Sequence, residues 1–188
     1  MMNRTYKEGA TAGRSFGGFT LVETLIAIAI ISIAITGPFQ VVQSVLQTSY
    51  TARDELIAAA LAQEGMEYVR QVRDSNGLYN NNHGGGRNWL EGFNGTAGPD
   101  CFTNACVVDV GQQTKVSCGN MTCTGLPLYL STDSLYTQVV TANPTRFTRK
   151  VNFANTGNPS EALVTVTVSW TYHGAHSVVL TEDLTDWL

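Results

Sequence analysis

The chain has 188 residues, with 11 Lys+Arg against 15 Asp+Glu, a net charge of −4 and only 14% charged residues. That balance argues against nucleic-acid binding by bulk charge, and the length suits one modest globular domain hung on a long helix. Low charge with many Thr, Asn and Gly residues fits an exported β-rich domain better than a cytosolic enzyme.

Residues 1–18 carry Arg4, Lys7 and Arg14 against one acid, Glu8, and end in Gly17-Gly18. An apolar run follows at once: Phe19 to Phe39 is 21 residues with a single charge, Glu23. At about 1.5 Å per residue it is long enough to cross a hydrocarbon core about 30 Å thick. A secretory signal has its small-residue cleavage site after the apolar region. Here the small residues come before it, so a cut after Gly18 leaves the hydrophobic helix on the mature chain. Taking three basic residues from 11 and one acid from 15 leaves 8 against 14, a net charge near −6 for residues 19–188. The basic leader stays cytoplasmic by the positive-inside rule. It therefore predicts a single pass through the cytoplasmic membrane with the C-terminal region outside.

The junction Gly17-Gly18-Phe19-Thr20-Leu21-Val22-Glu23 resembles the class III signal of type IV prepilins and pseudopilins. The resemblance implies a prepilin peptidase/methylase that cuts between Gly18 and Phe19 and methylates the Phe19 amine. It also implies that Glu23 neutralises the Phe19 amine of a neighbouring subunit as helices bundle into a filament. The partners implied are other pilin or pseudopilin subunits and the inner-membrane assembly platform. Physics gives Glu23 a separate reason to seek a partner, because an acid at a bilayer centre costs about 3 kcal/mol on insertion scales. The competing reading is a plain signal anchor with Glu23 among the headgroups.

Pro38, in Thr36-Gly37-Pro38, has no N–H for the carbonyl four residues back and predicts a bend in a helix that continues. From Val41 to Asp74, Val42, Leu46, Tyr50, Ile57, Leu61, Gly65, Tyr68, Val69 and Val72 recur at spacings of one helical face. Asp54, Glu55, Glu64, Glu67, Arg70 and Arg73 fall on the opposite side, with Glu67 and Arg70 at i, i+3. Ser75-Asn76-Gly77 supplies the expected stop. The expected division is therefore 1–18 leader, 19–39 transmembrane and assembly helix, 40–74 amphipathic half of that helix, and 75–188 an extracytoplasmic loop and sheet region.

Residues 75–100 are rich in Asn and Gly and read as a surface loop held down by Trp89, Leu90 and Phe93. Gly84-Gly85-Gly86 lacks the Gly-Lys-Ser/Thr ending of a phosphate loop. Four cysteines follow, Cys101, Cys106, Cys118 and Cys123, as C-x4-C-x11-C-x4-C. Folding 107–117 into a hairpin, 107–110 against 114–117, brings Cys106 opposite Cys118 and Cys101 near Cys123, which makes nested disulfides geometrically natural. The five-residue offset would put the two pairs on opposite faces of a regular ladder, so a bulge is needed. Four cysteines allow three connectivities. Zinc would ask for reduced thiolates and tighter spacing, so no metal is assigned.

Beyond a turn at Leu126-Pro127, Arg146 to Phe153 alternates with Phe147, Arg149, Val151 and Phe153 on one face. Leu163 to Tyr172 alternates with Val164, Val166, Val168, Trp170 and Tyr172 together, a face expected to meet the helix. His173-Gly174-Ala175-His176 reads as the turn into a last strand, Ser177 to Thr181. The expectation is an α+β, pilin-like fold: a long N-terminal helix whose second half packs on an antiparallel sheet of about four strands.

Function follows as a structural subunit, a minor pilin or pseudopilin of a type IV pilus or type II secretion-like filament. A tip-located module for adhesion or DNA uptake is the alternative, with no nucleic acid assigned. A membrane-anchored enzyme is disfavoured, because the histidines sit in loops and no nucleophile–base spacing appears. No cofactor is expected.

Overall fold

The computed structural model describes residues 17–187. The basic leader residues Arg4, Lys7, Glu8 and Arg14 lie outside them. The architecture is one long helix, α1 (Leu21–His83), and seven strands: β1 (Cys106–Asp109), β2 (Thr114–Ser117), β3 (Tyr129–Leu130), β4 (Tyr136–Thr137), β5 (Thr148–Asn155), β6 (Glu161–Thr171) and β7 (Ala175–Thr185). This is an α+β, pilin-like fold. Compactness divides the chain into two units, up to Gln47 and from Thr48 onward.

In the first unit every described residue is exposed. Its helix contains an 18-residue window of mean hydropathy 2.2, and α1 continues through Pro38. The few hydroxyls in the run bond the helix's own carbonyls: Thr24 to Leu21 at 2.8 Å, Ser32 to Ile28 at 2.8 Å and Thr36 to Ile33 at 3.0 Å. Each hydroxyl is thereby satisfied without water, which is the condition for placing it in lipid.

In the second unit β2-β1-β5-β6-β7 form a five-stranded sheet, antiparallel at every pairing, and β3-β4 form a separate two-stranded ribbon. The expected four strands fall short by one, and the ribbon was not anticipated because each of its strands has only two residues. The inward face of β5 and β6 is Arg149, Val151, Phe153, Val164, Val166, Val168 and Trp170, all buried, as their alternation requires. Against it lie Leu61, Ala62, Met66 and Val69 of α1. Gly65 marks the closest approach: a Cβ there would sit 3.1 Å from both Arg149 Cδ and Val166 Cγ1. The β6–β7 connection is tight, with Thr171 opposite Ala175 and His173 and Gly174 at φ +49° and +153°.

α1 does not stop at Ser75-Asn76-Gly77 but runs nine residues past Asp74. Asn76 and Gly77 are buried, and the Asn76 amide donates to the carbonyls of Trp89 and Glu91 at 3.2 and 3.1 Å. Tertiary bonding thus overrides their helix-ending preference. The real stop is the glycine run: Gly84 takes φ +75° and the Gly85 N–H bonds the Asn80 carbonyl at 2.8 Å, the Schellman arrangement that satisfies a terminal helix carbonyl.

Candidate functional site

The N-terminal junction is open. Gly17, Gly18 and Phe19 are exposed, and among the described residues, chain neighbours aside, no atom lies within 4 Å of a Cβ built on either glycine. Thr20 caps the helix, its Oγ1 accepting from the Glu23 N–H at 3.2 Å while its carbonyl accepts from the Thr24 N–H at 3.2 Å. Glu23 therefore stands in the first turn, where the helix dipole favours an acid. The Thr-x-x-Glu spacing is the sequence sign of such a cap, and it was overlooked beside the signal motif. Among the described residues the Glu23 carboxylate has no hydrogen-bond or ion-pair partner.

The cysteines form two local bridges, Cys101–Cys106 and Cys118–Cys123. The nested pairing of Cys101 with Cys123 and Cys106 with Cys118 is therefore wrong, although the hairpin behind it is present. The reason is a one-residue register difference: Cys106 faces Ser117, Val107 faces Val116 and Asp109 faces Thr114. A one-residue shift moves a strand's side chains to the other face, so Cys118 falls opposite Ala105, to whose carbonyl its N–H donates at 2.9 Å, and not opposite Cys106. Each cysteine at a strand end then closes on the loop next to it.

Three buried charged groups lock the second unit. Arg149 is fully buried, and Nη1 donates to Glu64 Oε2 at 2.6 Å and the Leu61 carbonyl at 3.1 Å, while Nη2 donates to the Val108 carbonyl at 2.9 Å. Asp109 accepts from the Gln112 and Gln138 N–H groups at 3.0 and 2.7 Å and from the Thr137 hydroxyl, tying the β3-β4 ribbon to β1. Burial would push the Asp109 carboxyl up, but these three hydrogen bonds and the Arg149 charge outweigh it and hold it below the usual range. Asp54, expected on the solvent side, is buried against Arg146 at 2.8 Å.

The histidines have structural surroundings. His83 stacks on Tyr79 with centroids 4.2 Å apart, and His176 stacks on its cross-strand neighbour Trp170 at 5.4 Å. Among the described residues no group of three or more His, Cys, Asp or Glu is placed to hold a metal ion.

A cavity of about 340 Å³ lies between α1, the loop after it and β2, and is lined by Tyr68, Gln71, Arg87, Glu91, Gln113 and Lys115 among others. Lys115 is half-buried, its Nζ 4.9 Å from the Phe93 ring centroid and 5.9 Å from that of Tyr68. Burial pushes its ammonium below the ordinary lysine value. Burial, and then the Asp109 charge, push the Tyr68 phenol up.

Compared with known proteins, residues 13–37 match the family model of the prokaryotic N-terminal methylation motif. That motif is the class III signal peptide of type IV pilins and pseudopilins, so the matched N-terminus is of the type IV pilin-like or pseudopilin kind. It implies processing by prepilin peptidase, membrane anchoring and assembly with other pilin subunits. No curated protein and no solved structure matches the chain significantly.

Proposed function

We propose that this chain is a non-enzymatic structural subunit, a minor pilin or pseudopilin, of a type IV pilus or type II secretion-like filament. The observation that carries the reading is the methylation motif over residues 13–37, whose apolar run opens α1 and is exposed throughout its described length. In this reading residues 1–18 are the leader, removed between Gly18 and Phe19. Phe19 becomes the N-methylated amine, and residues 19–39 hold the subunit in the cytoplasmic membrane with its C-terminal region outside until assembly. Glu23 supplies the countercharge for the Phe19 amine of an adjoining subunit. Two disulfides that close all four cysteines suit an oxidising exterior. The Gly- and Asn-containing loop after α1 and the cysteines that follow it favour a minor over a major subunit.

The test is the mass of the N-terminal peptide of membrane-extracted protein. A methylated Phe19 is expected, while Met1 at the N-terminus, or a cut after Thr36, would reject the reading. Gly18→Ala is expected to be processed nearly normally. A bulky or charged residue at position 18 is expected to leave the precursor uncut.

A further inference from the structure

We propose that the 340 Å³ cavity beside Lys115 binds a carboxylate carried on a compact polar body, the ammonium of Lys115 receiving its charge with Arg87 at the rim. A half-desolvated ammonium ordinarily recruits an acid, because taking a charge from water is costly without a partner. Among the described residues Lys115 has no acidic partner, and its Nζ lies near the Phe93 and Tyr68 rings.

The backbone is arranged to leave this ammonium at the cavity wall. Gly92 has φ +95°, and a Cβ on it would stand 2.6 Å from Lys115 Nζ. Gly98 closes on the Gly92 carbonyl so tightly that a Cβ would meet its oxygen at 2.5 Å. The Gly92 N–H is bonded to the Thr96 carbonyl at 2.8 Å, which fixes the loop that bounds the space. The cavity size is in the range of small-ligand sites, roughly 300–1,000 Å³.

The chemistry of the lining selects the ligand class. Two cations, Lys115 and Arg87, face one acid, Glu91, and that acid lies 3.8 Å from Arg87. Lys115 is thus the cation left over, in a chain that is acidic as a whole. Gln71, Ser75 and Gln113 add hydrogen-bonding groups for hydroxyls or amides on the ligand body. One ammonium left over matches a single negative charge, which favours a carboxylate over a phosphate dianion. A sugar acid and a peptide's terminal carboxylate share the required chemistry.

The experiment is calorimetric titration of the full processed chain in detergent micelles. The probes are galacturonate, galactose, inorganic phosphate, and one tripeptide with a free or an amidated C-terminus. At least one of the two acids is expected to bind, and which one identifies the source. Galactose and the amidated peptide are expected not to bind. Lys115→Gln is expected to weaken binding at least tenfold, and Lys115→Arg to recover part of it. In the wild-type chain the Lys115 Nζ resonance is expected to shift on saturation, a readout that needs no variant to fold. Absence of binding by both acids, equal binding of galactose, tighter binding of phosphate, undiminished binding in Lys115→Gln, or an unmoved Nζ resonance would each overturn the proposal. None of these results bears on the filament reading, which rests on residues 13–37.

Discussion

Each unit of the molecule sets a charge among apolar neighbours, and the two units treat it in opposite ways. In residues 48–187 the Arg149 guanidinium is buried and reaches Glu64, Leu61 and Val108 within its own unit. In residues 17–47 the Glu23 carboxylate has no partner among the described residues, and the apolar side chains around it are all exposed. The second unit meets its buried charge internally. Among the described residues of the first, both the apolar surface and the one acid are left uncovered.

Breaking the internal side of that contrast gives the largest expected effect. Arg149→Ala strands the Leu61 and Val108 carbonyls and opens a cavity, and together these should cost about 3–5 kcal/mol. Urea denaturation followed by near-ultraviolet circular dichroism measures it. Glu64→Gln keeps a hydrogen-bond acceptor but leaves the fully buried guanidinium without that countercharge, so it should cost less than Arg149→Ala yet more than about 1 kcal/mol. Equal losses for the two variants would mean the ion pair matters more than the arginine's two carbonyl bonds.

The disulfides come next. Cys101→Ala/Cys106→Ala opens a loop of five-residue separation, worth about 2 kcal/mol in the chain-entropy estimate. Non-reducing peptide mapping checks the pairing itself, and a Cys101–Cys123 peptide would contradict the observed bridges.

On the external side, Glu23→Gln should leave the second unit's unfolding curve unchanged. Its incorporation into sheared filaments should fall about tenfold at matched membrane levels, equivalent to about 1.4 kcal/mol. Equal incorporation would leave Glu23 as a first-turn acid favoured by the helix dipole alone.

The smallest effect is on pH dependence. Because the folded Asp109 carboxyl is held below its unfolded value, its contribution is fully present above about pH 4 and is lost as pH falls through the lowered folded value. Asp109→Asn should flatten the decline of melting temperature in that acid range. An unchanged slope would show that other carboxylates dominate there.

How much of this could be read in advance depended on the range of the interaction. The alternation at Val164, Val166, Val168 and Trp170 is local and marked the core face directly. The same period put Arg149 on the inward face, but nothing near it in sequence points to Glu64, which is 85 residues away. Asn76 and Gly77 looked like a helix end because their stabilising contacts come from Trp89, Glu91 and the tertiary packing. The cysteine symmetry located the hairpin, yet a register one residue from the symmetric one redirected every bridge. At the N-terminus the signal motif was visible because it is contiguous, from Gly17 to Glu23.

The local bridges also bear on how the chain would behave under tension. Each joins residues five apart, with Cα atoms 5.4 and 4.9 Å from one another. At about 3.5 Å of extended chain per residue, each withholds only about 12 Å of contour. A Cys101–Cys123 bridge would have withheld about 70 Å by the same measure. The β1–β2 hairpin is therefore free to pay out nearly its whole length before a covalent bond takes the load. Lengthening there is opposed by backbone hydrogen bonds and packing alone, while the cysteines act as small knots on a cord that still runs.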